Sequence, residues 1–147
     1  MFCKILQGLE EGYVLYRGNG VAVILDRYPV SKGHLLVLSE EHYEGVQDAP
    51  PSVLARVWVT ASALAKVYRV ELDAPGVNVV TNSGGAAGQV IYHFHVHVIP
   101  RWESMKGFWS GRRVLGGDEA REVLDMLKPH IAIVEEYLES VGLSEMV

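Results

Sequence analysis

Short apolar runs separated by turn residues fill the first forty positions. Residues 13–17 and 20–25 are rich in Val, Leu, Ile and Tyr on either side of Gly18-Asn19-Gly20. An Asn-Gly turn between two such runs predicts a β-hairpin. The segment DRYPVSKGH interrupts with Asp26, Pro29 and Gly33, after which HLLVLS predicts a third strand. Beyond QDAPPS the period changes: Leu54, Val57, Trp58, Ala61, Leu64, Ala65, Tyr68 and Leu72 recur at steps of three and four. That is the stripe of an amphipathic helix whose apolar side rests on a core, with Arg56, Lys66 and Arg69 largely off it. APGVNVVTN predicts a turn and a fourth strand, SGGAAG a flexible loop, and residues 89–100 a fifth strand. A loop with Trp102, Phe108 and Trp109 leads to Ala120, Val123, Leu124, Leu127, Ile131, Val134, Leu138 and Val141. This second helical pattern begins near Asp118, breaks near Pro129 and stops near Gly142. Strands and helices do not alternate regularly and no internal repeat is present, which favours an α+β domain with an antiparallel sheet covered by helix.

Composition narrows the class. A chain of 147 residues, 49% hydrophobic and 21% charged, suits one domain, residues 1–147, able to bury most of its apolar surface. Its net charge of -5 supplies no basic field for a nucleic acid polymer, although a small nucleotide fits. One cysteine, Cys3, excludes an internal disulfide framework and a Cys-x-x-Cys metal knuckle. The first residues carry no signal-peptide pattern and no run approaches the length of a membrane span, so a cytoplasmic protein without membrane association is expected.

The fifth predicted strand holds the chemistry. Of six histidines, three stand at alternate positions in HFHVHVIPR. On a strand, His93, His95 and His97 would share one face, about 7 Å apart in succession, with Tyr92, Phe94, Val96 and Val98 packed on the other. Three polar rings facing a core would create three satisfaction problems, so the histidine face is expected to line a pocket. The glycines at 84, 85 and 88 would let backbone amides approach an anion there. Zinc is one candidate ligand, with His34 or His42 as a further donor. Three evenly spaced ligands on one straight strand converge poorly on a tetrahedral ion, and phosphate chemistry suits them better.

These residues carry a specific resemblance. His93-Phe94-His95-Val96-His97-Val98-Ile99 is similar to the signature of the histidine triad superfamily, His-φ-His-φ-His-φ-φ with φ apolar. DRYPVSKGHLLVLSEEH and NSGGAAGQ resemble the segments that precede the triad in that family, so the likeness spans residues 26–101. FCKILQG near the N-terminus also looks familial. The resemblance implies an α+β fold with a five-stranded antiparallel sheet, a long central helix and a C-terminal helix. It further implies a nucleotide hydrolase working at the α-phosphate through a covalent nucleotidyl-histidine, on nucleoside phosphoramidates or dinucleoside polyphosphates.

Carried over residue by residue, the resemblance makes His95 the nucleophile, oriented by the backbone carbonyl of His93. The side chain of His93 would pair with His34, and His97 would donate to a phosphate oxygen or to the leaving side. Asp26 would accept from the ribose hydroxyls. Asn82, Gln89 and backbone amides around Gly88 would contact phosphate. Val90 stands where relatives often have Ser or Thr, removing a hydroxyl that would assist the leaving group. PRWESMKGFW lacks the Gly-Asp common after Pro-Arg in the diadenosine-polyphosphate branch. Microbial relatives often hold zinc with two cysteines and two histidines; His42 and His93 match the histidines, but Cys3 has no partner, so no metal ligand is assigned and no cofactor is required. A purine nucleotide substrate and a homodimer complete the expectation. The alternatives are a nucleotide-binding regulatory protein without turnover and a nucleotidyl transferase or phosphorylase.

Overall fold

A computed structural model describes residues 12–142. Five strands, β1 (Val14–Gly18), β2 (Val21–Leu25), β3 (Leu35–Ser39), β4 (Gly76–Val80) and β5 (His95–Arg101), form one sheet. Their order is β1-β2-β3-β5-β4, with every neighbouring pair antiparallel. The hairpin turn places Asn19 and Gly20 at φ 55° and 79°, the left-handed backbone that an Asn-Gly pair adopts at least cost.

Side-chain alternation gives the sheet two unlike faces. Val21, Val23 and Leu25 of β2, Leu35 and Val37 of β3, and Val96 and Val98 of β5 join one large core. The helices cover this face: α1 (Pro51–Lys66), α2 (Gly117–Leu127) and α3 (Ile131–Ser140) contribute Val57, Leu64, Val123, Leu127, Val134 and Leu138. Ala22, Ile24, Leu36 and Leu38 point to the other face and cluster separately. His95 and His97 alternate with Val96 and Val98 on β5 and so belong to this second face.

α1 starts at two consecutive prolines, Pro50 as the cap and Pro51 inside, where a missing N–H costs nothing. Its continuation Val67–Glu71 is a π-turn, with Leu72 N–H donating to Val67 C=O. The turn holds Tyr68, fully buried, with its hydroxyl donating to Gly33 C=O next to His34. Gly33 has φ +95°, and a Cβ there would lie 2.7 Å from the Tyr68 hydroxyl oxygen and 3.2 Å from Pro100. Gly33→Ala is therefore expected to destabilise the fold by about 2–3 kcal/mol, read as a lower urea midpoint; an unchanged midpoint would contradict this packing.

Three expectations need correction. The fifth strand begins at His95 rather than at residue 89, because Leu38 of β3 pairs with His95, Val80 of β4 pairs with His97, and the ladder does not extend beyond them. Tyr92, assigned to the core half of that strand, is exposed. Trp58 is partly exposed although it lies on the helical stripe, while Arg56, expected off it, is buried. The C-terminal pattern breaks where the sequence placed the break: two helices are joined by a 3-10 turn at Lys128–His130, where Pro129 removes a backbone donor. Among the described residues no helix is long and apolar enough to cross a membrane.

Candidate active site

A cleft of about 520 Å³ opens on the second face of the sheet. Its floor includes Ile24 and Leu36, and His95 and His97 stand at one side. Asp26 and Tyr28 follow directly from the end of β2, Asn82 to Ile91 border another edge, and Trp109 and Arg112 close over from the segment between β5 and α2.

Hydrogen bonds set the state of each imidazole. His95 Nδ1 lies 2.6 Å from the carbonyl oxygen of His93. A carbonyl only accepts, so the His95 proton sits on Nδ1 and the lone pair is on Nε2. Val30 N–H donates to His34 Nδ1 at 3.2 Å. Neutral His34 therefore carries its proton on Nε2 and gives it to His97 Nδ1 at 2.9 Å. His97 in turn keeps its own proton on Nε2, as a donor. The chain Val30, His34, His97 thus converts one backbone amide into an N–H on the cleft histidine.

Burial keeps these rings neutral. His34 and His97 are each lowered from 6.5 to about 3, first by desolvation. For His34 the Arg112 charge adds to this, and for His97 the neighbouring His95 and His34 do. His95 is also lowered by desolvation, opposed by its bond to the His93 carbonyl and by the Asp26 charge. A neutral imidazole with an unprotonated Nε2 is the form a nucleophile or base requires.

Asp26 is buried and closes an Asx turn, its Oδ1 accepting Tyr28 N–H at 2.8 Å. Its Oδ2 is 3.4 Å from His34 Nε2, and Arg112 Nη1 lies 3.5 Å from Oδ1. Arg112 stacks its guanidinium over Trp109 at 5.2 Å, and the Trp109 ring meets His97 edge to face at 4.9 Å. Leu115 N–H to Arg27 C=O and Trp102 Nε1–H to Lys32 C=O fasten this segment along residues 26–34.

Of the residues singled out from the sequence, Asp26, Asn82, Gly88, Gln89, Val90, His95 and His97 all border the cleft. His34 stands behind His97, and His93 lies away from the cleft. The expected His34–His93 pair is not formed: His93 sits before β5 begins, and its Nε2 donates to the Ser39 carbonyl at 2.6 Å. Its ring neighbour is His42, edge to face at 5.2 Å. Gln89 borders the cleft, yet its amide serves the loop, accepting from Gly84 N–H and donating to the Glu44 and Ile91 carbonyls. The amides of Gly88 and Gln89 likewise bond to Gly85 and Gly84. These groups thus brace the loop that borders the cleft. Trp109 and Arg112 were not singled out; the cue in the sequence is an aromatic pair and two arginines packed into GFWSGRR.

Asp26, His34 and His97 also bring three potential ligand atoms within 4.8 Å of one another. Hydrogen bonds already occupy His34 Nδ1 and link His34 Nε2 to His97 Nδ1, and a guanidinium stands beside the carboxylate. The donor set does not fit a cation. A zinc site of the microbial type would draw on His42, His93 and Cys3; Cys3, like FCKILQG, lies outside the described residues, and no second cysteine exists in the chain to complete the set.

Comparison with known proteins gives the family. The chain matches the HIT domain over residues 8–104. It is 37% identical over 141 residues to the Arabidopsis thaliana adenylylsulfatase HINT3, covering 92% of this chain and 71% of that protein. A crystal structure of a hypothetical histidine triad nucleotide-binding protein from Sulfolobus tokodaii superposes with a TM-score of 0.80 at 32% identity, covering 96% of this chain and 95% of that one. A zinc-bound histidine triad family protein from Mycobacterium smegmatis follows at TM-score 0.76 and 30% identity, covering 92% and 94%. With His95 and His97 on β5, His93 just before it, His34 behind His97 and the match running from before β1 to the end of β5, the chain belongs to the histidine triad family.

Proposed function

We propose that the protein is a nucleotide hydrolase in which His95 attacks the α-phosphorus of a nucleoside 5′-phosphate derivative. The observation that carries this reading is the 2.6 Å bond from His95 Nδ1 to the His93 carbonyl, which holds the lone pair on Nε2 at the wall of a nucleotide-sized cleft. Nε2 forms the N–P bond, the bond from phosphorus to the leaving group breaks, and its electron pair departs with that group. Water then attacks phosphorus, the N–P electron pair returns to Nε2, and the water proton passes to solvent.

Each neighbouring group has a task in this scheme. His97 Nε2–H donates to a non-bridging oxygen as charge grows there, and its neutral state favours hydrogen-bond donation over proton transfer. Asp26 keeps acceptor capacity on Oδ2 for a ribose hydroxyl. Ile24, Leu25 and Leu36 offer an apolar wall for a purine. Similarity to an adenylylsulfatase and to a nucleotide-binding protein supports an adenylyl substrate. The unpaired cysteine supports a metal-independent reaction. We place the protein in the cytoplasm as a homodimer, for which exposed Trp58, Val70 and the edge-strand Val79 supply apolar surface.

A panel of adenosine phosphoramidate, AMP-lysine, ADP, adenylyl sulfate and diadenosine tri- and tetraphosphate, run with and without chelator, tests the reading. AMP release from at least one member, unchanged by chelation, is expected. Nucleotide binding without release from any would favour a regulatory protein. AMP transferred to an added acceptor instead of water would favour a transferase or phosphorylase.

A further inference from the structure

Among the described residues, the charged side chains bordering the cleft are Asp26, Arg27 and Arg112. Arg112 is the cation tied to the histidines. It stacks on Trp109, Trp109 touches His97, and its charge bears on both His34 and His97. It is held by the Tyr28 carbonyl and stands 3.5 Å from Asp26, while its side chain remains 37% exposed. A guanidinium with five donors keeps several of them for an incoming group in this setting.

The leaving group then decides what this cation is for. An amine leaves phosphorus as a stable species only when it gains a proton. The hydrogen-bond chain from Val30 through His34 leaves His97 neutral, and handing over its one Nε2 proton would create an imidazolate. A phosphate or sulfate leaves as an oxyanion and needs no proton, but its growing negative charge needs a cation. We propose that Arg112 is a specificity-determining residue that contacts a second anionic group of the substrate. The preferred substrates are nucleoside 5′-phosphates joined to a second oxyacid, phosphoric or sulfuric, over those joined to an amine. This rests on the hydrolase reading and adds to it the class of leaving group. Arg112 stabilises the oxyanion as the P–O bond breaks, with the electron pair retained on the departing oxygen and no proton moved.

The test compares wild type, Arg112→Gln and Arg112→Lys on three substrates sharing an adenosine 5′-phosphoryl group: adenosine phosphoramidate, adenylyl sulfate and diadenosine tetraphosphate. Wild type is expected to show the higher kcat/KM on the oxyacid substrates. Arg112→Gln should lower kcat/KM on them by about tenfold to a hundredfold more than on the phosphoramidate, as loss of one charge-assisted contact implies, and Arg112→Lys should recover part. A loss confined to the sulfate or to the polyphosphate supports the proposal and identifies the acid. Equal losses on all three, or a wild-type preference for the phosphoramidate, overturn it. Calorimetry of AMP and ADP binding stands apart from turnover. Arg112→Gln should weaken ADP more than AMP, and equal weakening overturns the assignment. Selective weakening of ADP in a protein with no His95-dependent turnover would refute the hydrolase reading and leave Arg112 as an anion contact.

Discussion

His95→Ala is expected to lower turnover by roughly 10³- to 10⁶-fold, the scale on which removal of a nucleophile acts. Losing one binding contact would cost far less, since a hydrogen bond to a charged group accounts for about a hundredfold at most. The site predicts this difference because, among the described residues, no nearby group can substitute. His97 has its Nδ1 engaged by His34 and its proton on Nε2, so it presents no lone pair to phosphorus. His34 lies behind it, and the His93 ring is bonded to Ser39. Rapid acid quench and mass spectrometry should find a nucleotidyl adduct on wild type and none on His95→Ala. His95→Asn keeps polarity and should bind nucleotide while failing to release product. The urea midpoint should move little, because the truncated ring faces a cleft rather than the main core. Near-normal turnover in either variant would sink the covalent scheme.

The second large effect is on stability. His34 and His97 stay neutral in the folded protein down to about pH 3, whereas in the unfolded chain each takes a proton near 6.5. Between those values the unfolded state binds more protons, so stability rises with pH there. The contribution is complete above 6.5 and is lost progressively as pH falls towards 3. By pH 5 the cost is about 2 kcal/mol for each histidine, a large share of the roughly 5–15 kcal/mol typical of a domain. Structure gives the reason: a protonated His34 would turn a donor towards the Val30 N–H, and a protonated His97 would turn one towards His34. Urea unfolding at pH 7.5 and pH 5.0 should show a marked fall in midpoint. The double variant His34→Gln, His97→Gln should lose much of that pH dependence. A wild-type midpoint that is flat across the interval would overturn the neutral-chain assignment.

Much of this protein is written locally. The Gly18-Asn19-Gly20 turn, the apolar runs beside it and the three- and four-residue steps after Pro51 predict elements that form at those places, because a turn or a helical stripe depends on near neighbours. The alternation that puts His95 and His97 on one side of a strand and Val96 and Val98 on the other follows from the same period of two. Asp26 at the end of an apolar run and glycines before the triad were legible in the same way.

What only the tertiary structure decided involves residues far apart in the chain. Residues 89–94 have the composition of a strand, but strand pairing needs partners, and the ladders of β5 with β3 and β4 end at His95 and His97. His34 has two nearby histidines of similar sequence separation, His93 and His97; packing of residues 26–34 against β5 selects His97. Arg112 and Trp109 reach the cleft because the segment after β5 folds back along residues 26–34. Within β5 the sequence thus determined which side chains share a face, since covalent geometry sets that period. The fold determined which faces meet, since long-range hydrogen bonds and burial are satisfied only once the whole sheet has assembled.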